Sequence, residues 1–277
     1  MLSVINDVAF FVLQCYDIKR GGGMKFCFTV DDNIRFLKEL TENNYNSLFD
    51  HPYLKMYKRL HKQFGLKVQL NLFYEMDGFN LSKMTDKYLA EWKENSDWLK
   101  LSFHSKLENE SPYEFSGYDE VYADCKAVQD DIIRFASNDA LAYTTTIHYC
   151  RTTDKGLKAL KDNDVQALLG LFGTEEKPRT SYGLSDRDAG LIRKGEIVAN
   201  SGIAFGGIDI ILNLYDVEDI LGKLNMLVGR EIKVMIHEQY FYPDYKWYQE
   251  SFEEKLFETF SFLRKNGYES CFFEDII

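Results

Sequence analysis

Three of the five histidines in this 277-residue chain stand at the carboxyl ends of apolar, β-branched runs, and an Asp-Asp pair closes a fourth. The runs are Lys25 to Val30 before Asp31-Asp32, Leu99 to Phe103 before His104, Ala142 to Ile147 before His148, and Ile232 to Ile236 before His237. In a parallel α/β fold the strand carboxyl ends meet on one rim, and that rim carries the chemistry. Carboxylate oxygens and imidazole nitrogens converging there are the donors of a hydrolytic metal site. Adjacent acids in an extended or turning segment point in different directions, so one can ligate a cation while the other handles a proton. Glu108 lies four residues past His104, which places the two on one face of a helical turn. Arg151 follows His148, and Glu238-Gln239-Tyr240-Phe241-Tyr242 follows His237. Tyr240 and Tyr242 make that last loop a candidate sugar-stacking wall. Cys150, two residues past His148, is the thiol best placed to act as a nucleophile beside a histidine. Each element alone has a structural explanation, such as a helix-capping turn for Asp-Asp. The argument rests on all of them falling at the same end of successive strands.

The elements that must hold these residues alternate along the chain. Strands are predicted over 25–30, 67–74, 99–103, 142–148, 165–172 and 231–236, with a closing strand over 269–277. Helices are predicted over 45–64, after Thr85-Asp86, and over 118–136, 153–162, 216–228 and 247–265. Residues 173–195 read as a long polar loop, and 196–214 as strand interrupted by glycines. Seven or eight β/α repeats indicate one α/β domain over residues 24–277, a parallel sheet curled into a barrel. A flat doubly wound sheet is the alternative, but no G-x-G-x-x-G or Walker-type loop follows the first strand, so nucleotide binding has no support.

Forty-four acidic against 33 basic residues give a net charge of −11, which argues against nucleic acid or an anionic membrane surface as the main partner. The five cysteines include no C-x-x-C pair, and buried free thiols in a reducing compartment account for them. Residues 5–16 are too short to span a bilayer, and the basic Lys19-Arg20 follows them instead of preceding them, unlike a signal peptide. Arg20-Gly21-Gly22 can be encoded as a purine-rich ribosome-binding sequence just ahead of Met24. The expectation is that 1–23 is a non-native or disordered extension, that Met24 is the native start, and that the protein is cytoplasmic.

Thr29-Val30-Asp31-Asp32-Asn33, His104-Ser105-Lys106-Leu107-Glu108, Arg151-Thr152-Thr153-Asp154 and Met235-Ile236-His237 together resemble, in order and spacing, a known set of motifs. These are the T-F-D-D-G, H-S/T-x-x-H, R-x-x-P and apolar-x-His motifs of the NodB-type polysaccharide deacetylases, carbohydrate esterase family four. The resemblance runs from residue 24 to about 240. It implies a distorted (β/α) barrel of about seven parallel strands and one divalent metal ion (zinc, manganese or iron). The implied reaction removes an acetyl group from an N-acetylated sugar or polysaccharide precursor. By the same resemblance Asp31 is the general base, Asp32 and His104 are metal ligands, and His237 is the acid that protonates the leaving amine. Arg151 would orient the base, and Ser105 would support the motif loop beside the substrate.

The departures fall on Asn33, Glu108 and Asp154, which replace the glycine, the second histidine and the proline of those motifs. A carboxylate at Glu108 would favour a harder ion than zinc. Alternatively His148 completes the metal site and Glu108 only supports it. Two other functions stay open: a glycoside hydrolase-like metal-dependent enzyme using carboxylates from Asp31, Asp32, Glu108 and Glu238, and a non-catalytic carbohydrate-binding protein with a degenerate site.

Overall fold

The computed structural model describes residues 23–108 and 113–277. The expectation for residues 1–23 therefore lies, Gly23 apart, outside the described residues. In chain order the main elements are β1 (Met24–Asn33), α1 (Arg35–Glu42), α2 (Pro52–Phe64), β2 (Val68–Phe73), α3 (Leu89–Glu94) and β3 (Leu99–Ser105). There follow α4 (Tyr118–Ala136), β4 (Thr144–Thr145), α5 (Asp154–Asp162), β5 (Ala167–Gly170) and α6 (Asp186–Arg193). The last third holds β6 (Val198–Asn200), β7 (Ile203–Gly207), β8 (Ile210–Ile211), α7 (Val217–Leu227), β9 (Ile232–His237), α8 (Phe252–Lys265) and β10 (Tyr268–Cys271).

The strand at the centre is β1. It pairs in parallel with β9 along Phe26–Asp31, with β10 along its amino half and with β2 along its carboxyl half. A strand enclosed in this way reads as a continuous apolar run, and from Phe26 onward every residue of β1 is buried. The sheet order is β8-β9-β1-β2-β3, with β10 on β1. A second sheet runs β4-β5-β7-β6, and only its β6–β7 pair is antiparallel. An isolated parallel bridge links Leu101 of β3 to Leu141, three residues ahead of β4. The architecture is the expected mostly parallel α/β fold, its hydrogen bonding divided between two sheets.

Local chemistry explains the helices. Pro52 at the first position and Gly65 in the left-handed region after Phe64 bracket α2. Its Tyr53, Tyr57 and Leu60 are buried, and Phe260 of α8 packs edge-on against Phe28 of β1. Asp119 and Glu120 begin α4 and Arg134 lies in its last turn, each matching the helix dipole. Thr153 caps α5 by accepting the Gly156 amide at 3.0 Å, so the Arg151-to-Asp154 stretch is a helix start. Within the predicted 173–195 loop, Ser185 caps α6 in the same way. The predicted 142–148 strand contracts to two residues, because the chain turns into a 3-10 helix at His148–Cys150.

Candidate metal centre

A bulge brings both aspartates to one cavity. The β1–β2 register shifts between Val30 and Asn33, and Asp32 takes φ +63° in the left-handed region. A regular strand would send Asp31 and Asp32 to opposite faces; the bulge re-aims one of them, and both line a cavity of about 390 Å³. Asn33 holds the bulge. Its amide donates to the carbonyls of Val30 (2.6 Å) and Asn71 (3.1 Å), and its Oδ1 accepts the Tyr53 hydroxyl at 2.8 Å. Asparagine at this position therefore has work that a glycine could not do.

Asp32 Oδ1 lies 3.0 Å from His104 Nε2 and 3.3 Å from His148 Nδ1, and the two ring nitrogens are 3.1 Å apart. The far nitrogen of each ring faces a carbonyl: His104 Nδ1 donates to Thr146 O, and His148 Nε2 donates to Glu108 O at 2.8 Å. A carbonyl can only accept, so in the neutral rings both inward nitrogens are bare lone pairs. Three acceptors thus converge with no donor among them, and a cation is what reconciles them. Carbonyls fixing the far nitrogen of a ligating histidine are a feature of metal sites. Among the described residues this buried trio is the one group whose donor atoms could hold a metal ion.

Neighbours set the two acids apart. Burial drives Asp32 up, but the neighbouring His237, His104 and His148 outweigh it, holding the carboxyl well below its usual range. Asp31 is 1 % exposed. Burial there prevails over His104, His237 and the 2.7 Å bond from Asn71 Nδ2, and its pKa is raised. An anionic ligand beside a carboxyl tuned upward is the separation that distinct roles require. At the end of β9, His237 is the register partner of Asp31. Its Nδ1 bonds Asn213 Oδ1 at 2.9 Å, and its Nε2 is 4.0 Å from Asp32 Oδ2.

Several sequence expectations are placed elsewhere. Arg151 is half-exposed and pairs with Glu114; Asn71 is the group bonded to Asp31. Tyr242 is buried beneath the site, its hydroxyl on Glu238 at 3.2 Å and its ring under the Arg35 guanidinium. Ser105 is buried outside the cavity lining and donates to Leu107 O at 3.0 Å, so it supports the turn and does not face a substrate. Glu108 lines the cavity without joining the trio. Burial pushes the Cys150 thiol up to about 11, which argues against a cysteine nucleophile. Tyr240 does line the cavity, joined by Tyr149, Tyr245 and Trp247.

Gln239 was missed. Its Nε2 donates to Asp32 Oδ2 at 2.7 Å and reaches Glu108 Oε1 at 3.4 Å, leaving Oδ1 of Asp32 to face the histidines. Its position two residues past His237 was the available signal. Gln239→Ala is expected to weaken zinc or cobalt binding about 10–100-fold, measured by metal titration. Unchanged affinity would show that Asp32 needs no such support.

No protein-family model and no curated protein matches the chain. Solved structures do. A CE4 family pseudoenzyme from Bacillus anthracis matches with a TM-score of 0.50 at 9% identity; the match covers 93% of this chain and 66% of the other, so this chain spans just under two thirds of that protein. A family 4 acetyl xylan esterase from Clostridium thermocellum, in complex with a cobalt ion, matches with a TM-score of 0.52 at 12% identity, over 91% and 89% of the two chains. A 4-alpha-glucanotransferase from Thermococcus litoralis gives 0.58 at 13% identity, over 92% of this chain and 40% of the other. The fold is that of the family 4 carbohydrate esterases, in agreement with the motif resemblance.

Proposed function

We propose that this protein is a metal-dependent carbohydrate deacetylase that hydrolyses the acetamide of an N-acetylated sugar. The convergence of Asp32, His104 and His148 as three acceptors beside Asp31 and His237 carries this reading. Asp32 Oδ1, His104 Nε2 and His148 Nδ1 would hold the ion, so His148 takes the place that the motif gives to a second histidine and Glu108 stands behind it. Two nitrogens and one oxygen suit zinc, manganese, iron or cobalt. When bound, such an ion supplies Lewis acidity to activate water and polarise the amide carbonyl.

The remaining chemistry belongs to the chain. Asp31 accepts a proton from the water whose oxygen attacks the acetyl carbon. Its raised pKa brings it closer to neutral pH, where a general base works best. His237 donates a proton to the nitrogen as the C–N bond breaks, giving acetate and a free amine. Asn213 fixes the ring so that Nε2 is the nitrogen presented to the cavity. Tyr240 and the other aromatic rings of the wall offer apolar faces for a sugar.

Acetate released from N-acetylated sugars, measured beside new reducing ends, tests the proposal. Acetate that stops on chelation, and in His104→Ala together with the bound metal, is the expected outcome. Reducing ends without acetate would favour glycoside chemistry, for which the glucanotransferase likeness is the supporting observation. Neither product, from protein that takes up no zinc, manganese or iron on soaking, would favour a binding protein.

A further inference from the structure

Hydrolysis of an acetamide gives no role to the one guanidinium at the cavity wall. Arg179 lines the cavity, and it is the single lysine or arginine among the described residues that do. Its backbone is fixed, the amide donating to Phe172 O at 2.9 Å and Pro178 bridging Gly173. A guanidinium carries five N–H donors. One of them reaches Tyr149 O at 3.3 Å, and among the described residues no carboxylate forms an ion pair with Arg179. Glu114 and Glu175 are engaged by Arg151 and Arg193. The side chain thus stands at the cavity wall with its planar fork unspent.

The surrounding charge makes this informative. The cavity already holds Asp31, Asp32 and Glu108, within a chain of net charge −11. Such a field repels anions, and a neutral sugar needs no fixed cation to be bound. A guanidinium fork matches the two oxygens of a carboxylate or phosphate. We infer that Arg179 is the anion-recognising group of this site and that the acetylated sugar carries a carboxylate or phosphate substituent. This rests on the deacetylase reading and narrows its substrate class.

Calorimetric titration of the metal-loaded protein with N-acetylglucosamine, N-acetylglucosamine 1-phosphate and an N-acetylated aminouronic acid tests it, alongside acetate release from each. At least one anionic sugar should bind roughly 10-fold or more tighter than the neutral one, and whichever does identifies phosphate or carboxylate as the source. Arg179→Ala should abolish that preference, bringing anionic-sugar binding down to the level of the neutral sugar, while Arg179→Lys keeps the charge without the fork and falls between. Equal binding of all three sugars, binding of none, or a preference that survives in Arg179→Ala would each overturn the inference. Acetate release reports on the parent reading separately. An Arg179-dependent preference without acetate upholds the anion site and rejects the deacetylase. Acetate released from all three sugars, bound with equal affinity, rejects the anion site alone.

Discussion

Asp31→Asn is expected to release acetate about 10²–10⁴ times more slowly than the wild type while binding the same amount of metal. The amide is isosteric with the carboxyl, so it keeps a partner for Asn71, which bonds Oδ1 at 2.7 Å. What it loses is the ability to take a proton. Asp32→Asn should behave in the opposite order, losing metal first and activity as a consequence, because Oδ1 of Asp32 is the oxygen that meets both histidine nitrogens. Metal content by elemental analysis, read beside turnover in the two variants, separates the roles. If Asp31→Asn were the variant stripped of metal, the assignments would have to be exchanged.

Glu238→Ala is expected to cost at least about 3 kcal/mol of stability. Glu238 is wholly buried. Its Oε2 accepts the amides of Ile34 (2.7 Å) and Arg35 (3.0 Å), and its Oε1 accepts the Phe36 amide (2.9 Å) and the Tyr242 hydroxyl (3.2 Å). Three of those donors are the free N–H groups at the start of α1, which follows the aspartate bulge directly. Truncation leaves all four donors buried without an acceptor. Denaturant titration would measure the loss, and a change below about 1 kcal/mol would mean that water replaces the carboxylate.

The same group gives a pH signature. Burial raises the Glu238 carboxyl from 4.5 to about 7 against the pull of the three amides. The folded state therefore binds this proton more tightly than the unfolded chain does. The added stability from this tighter proton binding is full below pH 4.5 and is lost as pH rises through about 7. The stability difference between wild type and Glu238→Gln should shrink from pH 5 to pH 8. A difference that stays constant over that range would show that the amides keep the carboxylate ionised throughout.

What was legible in the sequence follows from range. Amphipathic periodicity located α2, α4 and α8, because each buries a long stripe that no other pattern mimics. The rim at the strand ends was legible because β1, β3 and β9 are apolar runs that stop at a chemical residue. α1 was not legible: it starts one residue after β1, and its first turn is capped by Glu238, about 200 positions away. α6 was hidden by its polar composition, although Ser185 and the acids that follow it are a capping signature. Arg151 matched a motif by spacing while its side chain went to Glu114. Tyr242 and Tyr245 look alike in sequence, yet the first is 6 % exposed and packed under Arg35 while the second lines the cavity. Direction of a side chain within a loop depends on tertiary contacts that local pattern does not encode. Asn71, Asn213 and Gln239 escaped for the same reason, since a polar amide gains meaning only from what it touches.

The position of β1 has a consequence for synthesis. The ribosome makes this strand among the first of the described segments, yet its partners β9 and β10 are among the last: Asp31 pairs with His237 and Cys27 with Cys271. Until those partners leave the exit tunnel, β1 can pair with β2 but not with β9 or β10, and the aspartate bulge lacks its contacts to Glu238 and Gln239. The nascent chain must hold β1 with β2 as its one native strand partner through most of translation. The three ligand residues are thus all made by residue 148, but the contact from Gln239 that steadies Asp32 arrives only about ninety residues later.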